Sequence, residues 1–210
     1  MLKALSYLVL ILLFTACSSP KASLENFEGK FVYTISSEQN EVDLSDSTNY
    51  QIVYAKDSML RIDNFTSIGK QVYIKHIPKN KAYILMDIGT QKVAIQTLAD
   101  TLENDGRYLF KKAFGKEKLA NRKAKNIHVT DTAYDTTITM NYLEEIPAKY
   151  STAIEGMPGL PAKYSVNANG VWLTYQLKSI EQRSLSIDLF GIPSGYEVIT
   201  LDEFIDLIKD

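Results

Sequence analysis

The chain has 210 residues, 45% of them hydrophobic and 23% charged, with a formal net charge of −2. Such a composition supplies one full globular core and no global basic field, so a nucleic-acid partner held by phosphate neutralisation is excluded at the level of charge. Thirteen Tyr against one Trp, with many Thr, Val and Ile, favour strands, because aromatic and β-branched side chains suit a pleated, half-buried surface.

The N-terminus carries the sharpest signal. Lys3 precedes an apolar run, Leu5 to Phe14, too short for a permanent bilayer-spanning helix of about 20 residues, so it reads as a signal peptide. Phe14-Thr15-Ala16-Cys17 resembles the lipobox of bacterial lipoproteins, with Phe14 where Leu is usual. The resemblance implies cleavage before Cys17, a diacylglycerol on its thiol, and an acyl chain such as palmitate on the new amine. At about 0.8 kcal/mol per buried methylene, two or more chains anchor a protein stably. Cys17 is the only cysteine, so an internal disulfide, a CxxC redox pair or a cysteine-rich zinc site is ruled out. The expected organisation is a signal peptide at 1–16, a lipidated tether at 17–26 containing Ser18-Ser19-Pro20, and one β-rich domain at 27–210. The expected address is the cell envelope, lipid-anchored in the outer membrane and facing the periplasm, with the membrane itself as partner through Cys17.

From Phe27 the hydrophobic period is mostly two. Phe31, Tyr33 and Ile35, then Leu60 and Ile62, then Val93 and Ile95 alternate with their neighbours as half-buried strands do. Breakers at Ile68-Gly69-Lys70, Pro78-Lys79-Asn80 and Ile88-Gly89-Thr90 separate them, which points to an antiparallel meander. Helical spacing of Leu109, Phe110, Ala113 and Phe114, closed by Gly115, predicts a short helix over Tyr108 to Phe114. Tyr134 to Tyr142 is the longest clean alternation. Asn169-Gly170 predicts a type I′ hairpin between Ala162–Val166 and Val171–Leu177, and Leu185, Ile187 and Leu189 predict another strand. Thr200 and Glu203 form a capping box ahead of Leu201, Phe204, Ile205 and Ile208, so a C-terminal helix is expected.

The strand-rich run, the Gly-Met-Pro-Gly-Leu-Pro turn at Gly156 to Pro161, and Phe190 to Tyr196 (FGIPSGY) resemble an uncharacterised family of bacterial lipoproteins with a GLPGLI-like turn. Domains of that family are thought to be similar to the LolA and LolB lipoprotein carriers. The resemblance implies a mainly β (α+β) fold: a curved antiparallel sheet or half-open barrel covered by a few short helices, around an apolar cavity. It brings no catalytic residue.

A search for chemistry finds little. His76 and His128 lie far apart in strand-like segments, and a lone strand histidine is more often a satisfied structural residue than a ligand or base. No metal-ligand spacing, nucleophile elbow or phosphate loop is present, so no metal, no cofactor and no enzyme is expected. Glu144-Glu145 reads as a solvated turn. Between Arg107 and Lys125 the basic residues Lys111, Lys112, Lys116, Lys118, Arg122 and Lys123 face a single acid, Glu117; they form either a solvated surface or a dock for an anionic head group. Phe31, Tyr33, Met59, Tyr83, Met86, Met140, Tyr142 and Trp172 are either plain core or the lining of a ligand cavity. The expectation is therefore a module that binds a lipid or another apolar ligand. The alternatives are an accessory lipoprotein with a protein partner in the envelope, and a hydrolase with a Ser or Asp dyad on His128.

Overall fold

The computed structural model describes residues 26–37, 49–66, 69–88, 90–98, 106–168 and 170–209. The signal peptide at 1–16, Cys17 and, except for Asn26, the tether at 17–26 lie outside the described residues, as does Asn169. The described strands are β1 (Glu28–Ser37), β2 (Tyr50–Lys56), β3 (Met59–Thr66), β4 (Gly69–His76), β5 (Lys81–Ile88), β6 (Gln91–Thr97), β7 (Tyr108–Leu119), β8 (Arg122–Asp131), β9 (Thr136–Leu143), β10 (Leu160–Ala168), β11 (Val171–Gln182) and β12 (Glu197–Thr200). All twelve form one open sheet in the order β12-β6-β5-β4-β3-β2-β1-β11-β10-β9-β8-β7. Two meanders, β1 to β6 and β7 to β11, are joined where β1 pairs antiparallel with β11. Every ladder is antiparallel except β12 on β6.

Both faces of the sheet are covered in places. Adjacent Met140 and Asn141 of β9 are both buried, so chain covers the strand on both sides at that point. One core cluster runs from β1 through β3 and β7 to β11, centred on Phe27, Phe31 and Tyr150. Phe27 stacks on Phe31 at 4.4 Å between ring centroids and meets Tyr150 edge-on at 6.0 Å. Such pairs add about 0.5–1.5 kcal/mol to the burial of each ring. The Tyr150 hydroxyl also accepts a hydrogen bond from the Phe27 amide at 3.0 Å, satisfying a polar atom that burial would otherwise strand. A second cluster, Val72, Ile74, Leu85 and Ala94, packs with Ile192 and Tyr196. Val72 and Ile74 pair with Asp63 and Arg61, whereas the intervening Ile62 belongs to the first cluster. The two cores therefore lie on opposite faces of the sheet.

These faces are covered by irregular chain. Residues 144–159, with Ile146, Tyr150, Ile154 and Met157 buried, close one side. Residues 183–196, with Leu185 and Phe190 buried, lie across β2 to β4 on the other: Lys56 donates to Leu185 O, Arg61 to Leu189 O, and His76 Nε2 lies 2.7 Å from Phe190 O. Because a carbonyl only accepts, His76 carries its proton on Nε2 in this contact. Among the described residues the helices are one α-helix, α1 (Leu201–Leu207), and three 3₁₀ turns.

Two expected elements take a different form. Tyr108 to Phe114 is the first half of β7, paired with β8 from Tyr108↔Asp131 to Leu119↔Arg122. A bulge between Lys112 and Lys116 breaks the two-residue period and imitates helical spacing. Leu185 to Leu189 is not a strand but an extended stretch entering a 3₁₀ turn at Ile187–Phe190, capped by the Ser186 side chain. The hairpin around residues 169–170 forms as expected, with Ala168 paired to Val171 and Gly170 at φ +86°. The Thr200–Glu203 capping box is present on α1.

Candidate functional site

A cavity of about 350 Å³ opens on the face occupied by the first core cluster. Its walls come from β1 (Tyr33), β2 (Gln51, Val53), β3 (Ile62, Asn64), β7 (Tyr108), β10 (Tyr164, Val166) and β11 (Tyr175), with Tyr150 to Ala153 and Arg107 at its edge. β3 and β7 stand seven places apart in the sheet order. Residues of both can share a cavity only because the sheet curls around it.

The lining is amphipathic. Tyr164 and Tyr175, a cross-strand pair, stack at 4.9 Å with nearly parallel planes, and Tyr33 meets Tyr164 edge-on at 6.0 Å. The Tyr33 hydroxyl donates to Pro161 O at 2.8 Å. Burial pushes the hydroxyl pKa values of Tyr33, Tyr164 and Tyr175 upward, and for Tyr164 the neighbouring tyrosines add to it. These phenols stay neutral across the physiological range and offer ring faces and O–H groups, not charge. Gln51 donates to Asn64 across β2 and β3 at 2.7 Å. Arg107 grips Asp131 with Nε and an Nη atom at 3.2 and 2.9 Å and lies over the rings of Tyr108 and Tyr134. The hydrogen bond it donates to Asp131 raises the Arg107 pKa further. The guanidinium is thus a fixed, positively charged post at the rim.

The structure disperses the residues singled out from the sequence. Tyr33 lines the cavity, whereas Phe31 and Met140 are packed core. Met59 and Met86 are half-buried on β3 and β5, and Tyr83 leans on the second core, on the other face. Trp172 sits edge-on to Tyr134 at 5.8 Å. Tyr142 lines a second groove of about 440 Å³ beside the β7 bulge, with Lys112, Phe114, Lys116, Lys125 and Ile127. The sequence pattern gives no sign that Tyr108, Tyr150, Tyr164 and Tyr175 share this cavity with Gln51 and Asn64, and it marks Arg107 only as one of a basic run. Tyr164 and Tyr175 alternate as strand residues do, but which alternating tyrosines meet is set by strand order, and Tyr150 comes from a 3₁₀ turn.

His128 Nδ1 lies 3.0 Å from Thr139 Oγ1 on an exposed surface. Among the described residues no group of three His, Cys, Asp or Glu side chains is placed to hold a metal, and no helix is long and apolar enough to cross a membrane.

No family model matches the chain, and no curated protein matches it. Among solved structures, PNGF-II is similar at a TM-score of 0.56 and 15% identity, over 88% of this chain and 34% of that one. This chain therefore spans about a third of PNGF-II, and at that identity what the two share is the fold of the sheet.

Proposed function

We propose that this chain is a lipid-anchored envelope protein whose curled sheet, a half-barrel similar to those of LolA and LolB, binds a lipid or another largely apolar ligand. The observation that carries the reading is the convergence of five tyrosines, Tyr33, Tyr108, Tyr150, Tyr164 and Tyr175, on one cavity. Its volume lies at the lower end of the roughly 300–1,000 Å³ typical of small-molecule sites. The amide and hydroxyl groups of Gln51, Asn64, Ser151 and Thr152 favour an amphiphile: an apolar body against the rings and a polar end at the Arg107 rim. The module acts by holding its ligand, without cofactor or covalent chemistry. Anchorage through acylated Cys17 and a periplasmic aspect follow from the leader at 1–16.

The test has two parts. Residues 22–210 are purified and extracted with organic solvent, the extract is examined by mass spectrometry, and the stripped protein is titrated with a fluorescent fatty acid. Val166→Trp, which fills the cavity, should lower probe affinity tenfold or more with little change in melting temperature. Absence of co-purified lipid together with probe binding no better than to an unrelated β protein overturns the reading. For the anchor, cells fed a labelled fatty acid should label the wild type and not Cys17→Ala.

One observation favours a second reading, an accessory lipoprotein that binds an envelope protein. Val198 of β12 and Leu201, Ile205 and Ile208 at α1 are all exposed, an apolar strip at the sheet edge of the kind that partner proteins cover.

A further inference from the structure

β7 forms one edge of the sheet, paired with β8, and the charges of this hairpin are set against its own stability. In the ladder Lys116 stands opposite Lys125, and Lys118 stands opposite Lys123. Like charges directly across an antiparallel pair are destabilising. Lys125 is relieved by Glu144 at 2.6 Å. Lys112, Lys116, Lys118 and Lys123 are exposed and have no acidic partner among the described residues.

The same lysines share a face with an apolar groove. Lys112 pairs with Ile127, Lys125 with Tyr142 and Ile127 with Met140, and paired residues in a ladder point to one side. Ile127 and Tyr142 belong to the lining of the 440 Å³ groove, with Lys112 and Lys116 beside them. At its edge the bulge pushes out Phe114, which is fully exposed. A ring held clear of the protein among ammonium groups that have no acidic partner among the described residues matches the chemistry of an anionic bilayer, with phosphates at the lysines and acyl chains at the ring.

We propose that this hairpin docks on an anionic membrane surface, with Lys112, Lys116, Lys118 and Lys123 on the head groups and Phe114 in the acyl boundary. The proposal rests on the lipoprotein reading for the nearness of a membrane and is independent of what the tyrosine cavity holds. Docking would hold the domain against the leaflet that carries the anchor, in place of leaving it to swing on its tether.

The test uses the full chain, purified in detergent and reconstituted into vesicles of phosphatidylcholine alone or of equal parts phosphatidylcholine and phosphatidylglycerol. In a Phe114→Trp, Trp172→Phe chain the single indole reports on the bulge. Its emission should move to the blue on the anionic vesicles only, return at high salt, and stay unmoved when Lys116→Glu and Lys118→Glu are added. Native chain provides a second readout without substitutions. A water-soluble acetylating reagent should label Lys116 and Lys118 severalfold less on anionic than on neutral vesicles, while exposed Lys81 and Lys178 stay equal. An indole shift of the same size on both vesicle types, or labelling of Lys116 and Lys118 that does not depend on lipid charge, overturns the proposal. Failure of Cys17 to take fatty acid would defeat the anchor alone, since the indole and amine readouts do not depend on it.

Discussion

The tyrosine cavity and the lysine hairpin are built from the same kind of sheet by opposite means. In the cavity three polar side chains are answered within the protein: Tyr33 by Pro161, Gln51 by Asn64, Arg107 by Asp131. In the hairpin, Lys118 and Lys123 face each other and solvent answers them. The first arrangement adds to the stability of the fold, while the second detracts from it. A surface whose charges are unfavourable for folding is a better pointer to a partner than a surface that is merely polar.

Changes beneath the cavity should be the most damaging. Phe31→Ala removes a fully buried ring that stacks on Phe27, and a loss of about 3–5 kcal/mol is expected from urea denaturation. Gly159→Ala comes next. A Cβ there would fall 2.3 Å from Leu143 O, a clash with backbone that cannot turn aside, and overpacking of this kind costs about 1–3 kcal/mol. Gly170→Val should cost about 1 kcal/mol or a little more, because a β-branched residue is forced to φ +86° at the turn. An unchanged denaturation midpoint for that variant would mean that Asn167, whose Oδ1 accepts from the Gly170 amide at 2.8 Å, holds the turn alone.

The comparison also has a pH dependence. Tyr33, Tyr164 and Tyr175 have hydroxyl pKa values raised by burial, so their contribution is fully present below the unfolded tyrosine value of about 10 and is lost as pH rises through the folded values. Alkaline unfolding followed by circular dichroism should therefore set in above about pH 10, and Tyr175→Phe should move it to higher pH. The smallest effect carries the opposite sign. Lys118→Glu turns a repulsive pair with Lys123 into an attractive one and should stabilise the protein by a few tenths of a kcal/mol, up to about 1. A loss of stability in that variant would break the contrast between the two regions.

Much of the strand pattern was legible because a half-buried strand writes its burial into alternate residues. Phe31 and Tyr33, then Leu60 and Ile62, are buried as their spacing requires, and the capping box and the two-residue hairpin are local devices that need no distant partner. The reading failed where burial was not periodic. At Leu109 to Phe114 the bulge in β7 shifts the period, and Leu109 and Phe114 turn out exposed. At Leu185 to Leu189 the buried Leu185 belongs to chain that crosses a sheet, not to a strand within one.

Sequence alone determined that this protein is a β meander with a capped C-terminal helix, and that one segment near its middle carries unbalanced positive charge. Those properties rest on local backbone preference, on side-chain alternation and on simple counts of charge. Only the tertiary structure decided that β1 meets β11, that residues from β3 and β7 share one cavity, and that Lys112, Lys116, Lys118 and Lys123 lie on one face beside an exposed Phe114. These follow from strand order, sheet curl and ladder register, which depend on contacts between residues more than a hundred positions apart, such as Tyr33 with Pro161, and no local pattern records such a contact.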